Sequence, residues 1–275
     1  MKPKIGIRPT IDGRWGGVRE SLEVKTMAMA NAAKELIEAN VFYQDGTHAE
    51  CVISPCTIGG GAEAAKCSDY FKTQNVCASL AVTPCWCYGS ETMDLDPNTI
   101  KAVWGFNGTE RPGAVYLAAV MAAFAQKGLP AFSMYGHDVQ DAADNTIPDD
   151  VAEKMIRWAK GAIAVGQMNN KAYVNLGGVA MGIAGSYCDM SFMQKYLGIR
   201  AEWVDLTEIL RRMKLEIYDK DEYEKALKWI KANCPEGFDK NAAKDLPEII
   251  RKSKVISPDS DWEFITKFTI IVKDI

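Results

Sequence analysis

The sequence predicts an α/β chain in which two parallel sheets follow one another, each layered between helices, and two observations carry that expectation. Short apolar runs of strand length alternate with longer segments whose apolar residues recur at helical spacing. The segments that follow the runs are dense in Gly and Pro, as turns between such elements are.

In order along the chain, Lys4 to Arg8 reads as a strand stopped by Pro9. Ser21 to Glu38 carries Leu22, Met29, Ala33, Leu36 and Ile37 at helical spacing. Cys51 to Ser54, Cys77 to Thr83, Val103 to Phe106 and Ala131 to Tyr135 read as buried strands, with helices beginning near Gly61, Arg111 and Pro148. The polar stretch Met168-Asn169-Asn170-Lys171 follows a long helical pattern and precedes a fresh strand, Tyr173 to Leu176, so the domain boundary is placed there: residues 1–168 and 169–275. The second unit continues with a strand at Ala201 to Val204 and helices at Leu206 to Ile217 and Asp221 to Asn233. A Pro- and Lys-rich stretch, Pro235 to Pro258, leads to a last helix starting near Pro258 to Asp261. In that helix Trp262, Ile265, Phe268, Val272 and Ile275 share a face that runs to the last residue without a cap, so the second domain is expected to be incomplete and the natural protein to continue. Both domains are expected to be flavodoxin-like three-layer sandwiches.

Composition narrows the function. A chain of 275 residues, 48% hydrophobic and 25% charged, is an ordinary globular one with room for two cores. A formal charge of -4 disfavours nucleic acid and anionic membranes, which select basic surfaces. The start M-K-P-K-I-G-I-R is too polar for a signal peptide, and no apolar run approaches the roughly 20 residues needed to span a bilayer, so a cytoplasmic location is expected. Six of the eight cysteines fall between Cys51 and Cys87, but their spacing matches neither paired zinc knuckles nor an iron–sulfur pattern. They are expected to be reduced and mostly buried.

In sheets of this kind function gathers beyond the C-terminal ends of the strands. Thr83-Pro84-Cys85-Trp86 and Tyr135-Gly136-His137-Asp138 both occupy such positions. The first belongs to a stretch, Thr83 to Leu117, unusually rich in Trp, Cys and Tyr for a Gly- and Pro-dense region, the composition of loops that grip a ligand. His137, with Asp138 beside it, forms a possible strand-end polar cluster; His48 reads as surface. Gly177, Gly178, Gly182 and Gly185 follow a strand, but the spacing is not G-x-G-x-x-G and no P-loop occurs, so they read as a close-packed strand-to-helix turn. No H-E-x-x-H, nucleophile elbow or complete catalytic constellation is present.

Five segments carry a resemblance: K-I-G-I-R-P-T-I-D-G-R at Lys4 to Arg14, T-P-C-W-C-Y-G-S-E at Thr83 to Glu91, W-G-F-N-G-T-E-R-P-G-A-V-Y-L at Trp104 to Leu117, Y-G-H-D-V-Q-D at Tyr135 to Asp141 and L-G-G-V-A-M-G-I-A-G-S at Leu176 to Ser186. Together they are similar to L-fucose isomerase, over about the first half of that family's chain. The resemblance implies two N-terminal α/β domains of a hexameric, manganese (Mn2+)-dependent aldose-ketose isomerase. The enzyme interconverts L-fucose and L-fuculose, and D-arabinose and D-ribulose, through an ene-diol. It further implies that the Glu, Asp and His that hold the metal and move the proton lie downstream of Ile275, so that the isolated chain is inactive and contributes no catalytic or metal-binding residue. What carries over is substrate contact by Arg14 and Trp86, reaching into a neighbouring subunit's site. Two other expectations stand beside it: a non-catalytic sugar-binding or scaffold subunit working with a separate metal-bearing chain, and a self-sufficient flavodoxin-like binding module.

Overall fold

A computed structural model describes residues 2–187, 189–234 and 261–275. It divides into two compact units, Met1–Lys171 with Phe192–Ile199, and Ala172–Ser191 with Arg200–Ile275. The sequence expectation was a single cut after 168.

The first unit holds β1 (Lys4–Pro9), α1 (Glu23–Asn40), β2 (Cys51–Ile53), α2 (Gly61–Thr73), β3 (Val76–Thr83), α3 (Gly89–Thr92), β4 (Ile100–Gly105), α4 (Gly113–Gln126), β5 (Ala131–Met134) and α5 (Asp149–Met168). Its five strands are all parallel, in the order β2-β1-β3-β4-β5, which is the flavodoxin-like arrangement with its switch point between β1 and β3. Strand alternation sorts the core into two layers. Leu80, Val82, Ala102 and Trp104 pack with Met29 and Ile37 of α1 and Met155 and Trp158 of α5. Ala81 and Val103, on the opposite face, pack with Tyr116, Leu117, Val120 and Phe124 of α4. Cys67 and Phe71 of α2 form a third cluster with Ile58.

Three elements of this unit start two or three residues from where the sequence reading places them. β4 begins at Ile100 rather than Val103 because Lys101 is buried within it, its ammonium satisfied by the carbonyls of Asp96 and Thr99. α4 begins at Gly113 rather than Arg111: Arg111 sits in the left-handed region at φ 44° and Pro112 then caps the helix. A Cβ on Gly113 would stand 2.1 Å from the Thr83 carbonyl oxygen, so only glycine lets the helix start this close to the end of β3. α1 begins at Glu23, after the turn residues Ser21 and Leu22.

The second unit contains β6 (Ala172–Leu176), paired in parallel with β7 (Arg200–Val204). It also holds two 3-10 turns, Ala180–Gly182 and Ala184–Ser186, and α7 (Leu206–Leu215), α8 (Lys220–Asn233) and α9 (Asp261–Lys273), whereas α6 (Met190–Leu197) belongs to the first unit from Phe192 onward. α9 packs against α7 and α8. Its buried face is Thr266, Lys267, Ile270 and Ile271, whereas Ile265 and Ile275 are exposed. Of the apolar stripe expected from spacing, Trp262, Phe268 and Val272 are half-buried while Ile265 and Ile275 are exposed. The Pro- and Lys-rich stretch lies outside the described residues. No helix among the described residues is long and apolar enough to cross a membrane.

Candidate functional site

The candidate site is built from the loops that leave the C-terminal ends of β1 and β3, on the two sides of the switch point. After Pro9 the chain stays tied to the sheet: the Thr10 amide donates to the Val82 carbonyl at 2.9 Å and the Ile11 amide to the Ile58 carbonyl at 3.0 Å. Asp12 is thereby carried to the strand tip, where it is only 4% exposed. Its carboxylate takes Arg14 in a two-pronged grip. Arg14 Nε donates to Oδ1 at 3.0 Å, Nη2 donates to Oδ2 at 2.6 Å, and the Arg14 amide donates to Oδ1 at 3.0 Å. The Arg14 side chain remains 62% exposed, so its remaining N–H groups face outward from a fixed base. The hydrogen bonds from Arg14 hold the Asp12 carboxyl below its ordinary range, against the opposing effect of burial.

The loop after β3 alternates as an extended strand does. Cys85 and Cys87 point inward, each 1% exposed, and Trp86 and Tyr88 point outward, each 42% exposed. Thr83 braces the inner side: its hydroxyl donates to the Cys85 carbonyl at 2.8 Å and stands 3.0 Å from Cys87 Sγ. Arg14 lies close enough to Cys85 and Tyr88 to interact electrostatically, and a Cβ on Gly13 would stand 3.4 Å from the Tyr88 ring. The Arg14 and Trp86 loops are therefore neighbours.

The segment after Arg14 is held by a network that sequence reading missed. Arg19, buried, donates to Glu23 at 3.0 Å, to Glu63 Oε1 at 2.7 Å and to Thr57 Oγ1 at 2.9 Å, and the Trp15 ring lies against its guanidinium. Nothing local marks Arg19, because Glu63 is 44 residues away. Asp12 carried a weak signal, standing two residues before Arg14 in the I-D-G-R turn. Beside these loops a cavity of about 240 Å³ is lined by Leu22, Lys25, Pro84, Phe106 and Arg111. Lys25 sits 3.7 Å above the Phe106 ring and donates to the Ala142 carbonyl, and its desolvation lowers its pKa.

His137 and Asp138 lie beyond β5, almost fully exposed, with Nδ1 and Oδ1 3.0 Å apart. Asp138 raises the imidazole pKa, and the His137 amide donates to Asp150 at 3.2 Å. Asn107, beyond β4, anchors this loop by donating to the Gly136 carbonyl at 3.0 Å. The pair thus belongs to the β4–β5 side, apart from the β1–β3 crevice. Among the described residues no three His, Cys, Asp or Glu side chains converge to hold a metal. The described cysteines are free thiols, with Cys51, Cys67, Cys85 and Cys87 buried; burial pushes the Cys51 thiol up to about 12.

The motifs that build these loops lie within longer matches. The profile of the L-fucose isomerase first N-terminal domain matches residues 2–170, and that of the second N-terminal domain matches residues 171–275. The chain belongs to the L-fucose isomerase family. It is 64% identical over 273 residues to L-fucose isomerase of Clostridium perfringens, covering 99% of this chain and 46% of the relative. It is 60% identical over 275 residues to the Phocaeicola vulgatus enzyme, with 99% and 46% covered. Against the Streptococcus pneumoniae enzyme it is 57% identical over 273 residues, with 99% and 45% covered. The chain spans a little under half the length of these family members.

Proposed function

We propose that this chain is the N-terminal portion of an L-fucose isomerase that interconverts L-fucose and L-fuculose, and D-arabinose and D-ribulose, in the cytoplasm. Within it the chain supplies a wall of the substrate site. The observation that carries this reading is the pairing of a clamped, outward-facing Arg14 with an outward-facing Trp86 across the switch point of the first sheet. A guanidinium fixed by Asp12 presents its remaining donors to sugar hydroxyl oxygens, and an indole offers an apolar platform to the C–H face of the ring. Neither group moves a proton at neutral pH, so both act by holding and orienting the sugar.

The described residues do not fit the manganese that the family resemblance implies, since they present no donor set. Its ligands, and the carboxylates that transfer the proton between C1 and C2, are assigned to the part of the enzyme outside this chain. Arg14 and Trp86 then serve the centre of a neighbouring subunit in a hexamer.

The reading is tested by exchange. This chain replaces the matched N-terminal portion of the Clostridium perfringens relative, and L-fucose isomerisation is measured with manganese. The chimera is expected to turn over L-fucose, and Trp86→Ala in it to lose sugar affinity. A folded, metal-loaded chimera with no turnover, or one indifferent to Trp86→Ala, overturns the assignment.

A further inference from the structure

The loop between β4 and α4 carries two charged side chains that the pairing of Arg14 with Trp86 does not use, on a backbone held in an unusual way. Arg111 stands at φ 44°, in the left-handed region that residues other than glycine seldom adopt. It is fixed from both sides. Before it, the Thr109 amide donates to the Gln140 carbonyl at 2.9 Å and the Gln140 amide to the Asn107 carbonyl at 2.8 Å; after it, Pro112 leads into α4, whose Ala114 amide donates to the Phe106 carbonyl at 3.1 Å. Strained backbone imposed by its surroundings clusters at ligand clamps. Arg111 and Glu110 are both exposed, and neither forms a hydrogen bond or ion pair with any described residue. Both line the cavity of about 240 Å³, and that cavity shares a wall with the Trp86 loop. Pro84, two residues before Trp86, lines it, and so does Leu22, which packs against the cluster containing Cys85 and Cys87. The loops after β3 and β4 leave the sheet side by side, the Phe106 amide donating to the Thr83 carbonyl at 3.0 Å, and Arg111 lies close enough to Asp12 to interact electrostatically. Lys25, the other cation of the cavity, is already engaged by the Ala142 carbonyl and the Phe106 ring.

We propose that Glu110 and Arg111 extend the substrate wall to a third strand end, where they bind neighbouring hydroxyl groups of the neutral sugar. The inference rests on the reading of Arg14 and Trp86 as a substrate wall. The opposite signs of the two side chains select the class of ligand. An anion drawn to Arg111 meets repulsion from Glu110, and a cation drawn to Glu110 meets repulsion from Arg111. A hydroxyl group both accepts and donates, so one sugar oxygen takes an N–H of Arg111 while a neighbouring O–H donates to the Glu110 carboxylate. Leu22 and Pro84 give the same cavity an apolar side for C–H groups. The two residues bind and orient the sugar and take no part in moving its proton.

The test uses the chimera with the Clostridium perfringens relative and takes Trp86→Ala as its internal reference. Where turnover responds to Trp86→Ala, Arg111→Gly is expected to raise KM for L-fucose about tenfold with kcat little changed, the mark of a contact made alike in the ground and transition states. Glycine suits the left-handed backbone, so the thermal midpoint of Arg111→Gly is expected to equal or exceed that of the parent chimera. Glu110→Ala is expected to raise KM in the same way. A KM that either substitution leaves unchanged, or a midpoint lowered by Arg111→Gly, overturns this inference and leaves the Trp86 assignment standing. A folded, metal-loaded parent chimera with no turnover, or one indifferent to Trp86→Ala, overturns the substrate-wall reading and this inference with it.

Discussion

Replacing Asp12 by Asn removes the charge from a carboxylate that is buried while its partner stands in water. The amide keeps the shape and one acceptor, but its NH₂ group meets an N–H of Arg14 where an oxygen stood, so at least one of the four bonds from Arg14 is lost. Charge-assisted bonds of this kind contribute about 1.5 to 3 kcal/mol when shielded, and exposed pairs at most about 1 kcal/mol. Because the Arg14 side chain is mostly exposed, we expect a coupling energy of about 1 kcal/mol between Asp12→Asn and Arg14→Ala in a double-mutant cycle. With a urea slope of about 2 kcal/mol/M, Asp12→Asn then lowers the midpoint by about 0.5 M at neutral pH. The folded-state pKa of Asp12 lies below its ordinary value of 3.8. Its contribution is therefore full above that value and is lost as pH falls through the folded value. The gap between wild type and Asp12→Asn should accordingly close on acidification, other carboxylates cancelling between the two proteins. Coupling below about 0.3 kcal/mol at neutral pH, or a gap that does not narrow below the ordinary Asp value, refutes the clamp.

Three other outcomes are expected. In the chimeric enzyme Trp86→Ala should lower kcat/KM by roughly tenfold to a thousandfold, equivalent to about 1.4 to 4 kcal/mol, with metal content unchanged by elemental analysis. Mixed with a metal-ligand mutant under conditions of proven subunit exchange, it should regain activity; a mixture that stays inactive places wall and metal in the same subunit. The isolated 275-residue chain should show no L-fucose turnover with manganese, and turnover surviving removal of host isomerase would contradict this. Gly113→Ala should destabilise the first unit by about 1 to 3 kcal/mol by denaturant titration, because its methyl group meets backbone rather than a side chain that can swing away; an unchanged midpoint would show that α4 shifts freely against β3.

The parallel α/β character, the order of the strands along the chain and the positions of the loops were legible in the residues, because periodicity reports the local geometry that each segment must adopt. The family motifs likewise stand in the linear order of the chain, and the outward Trp86 between two inward cysteines follows from strand alternation. Partners distant in sequence were not legible. Lys101 reads as polar yet lies buried in β4, because the Asp96 and Thr99 carbonyls happen to curl over its ammonium. Nothing local marks Arg19, yet Glu63 and Thr57, from the segments after β2, bury it. Spacing marked an apolar stripe on α9, but not that packing against α7 and α8 would bury Thr266 and Lys267 beside Ile270 and Ile271. The clamp on Arg14 was half legible, since Asp12 is near in sequence, but only the fold of the sheet buries that carboxylate. Burial depends on which surfaces meet when strands 1 and 3 become neighbours, and no local pattern encodes the other side of a contact.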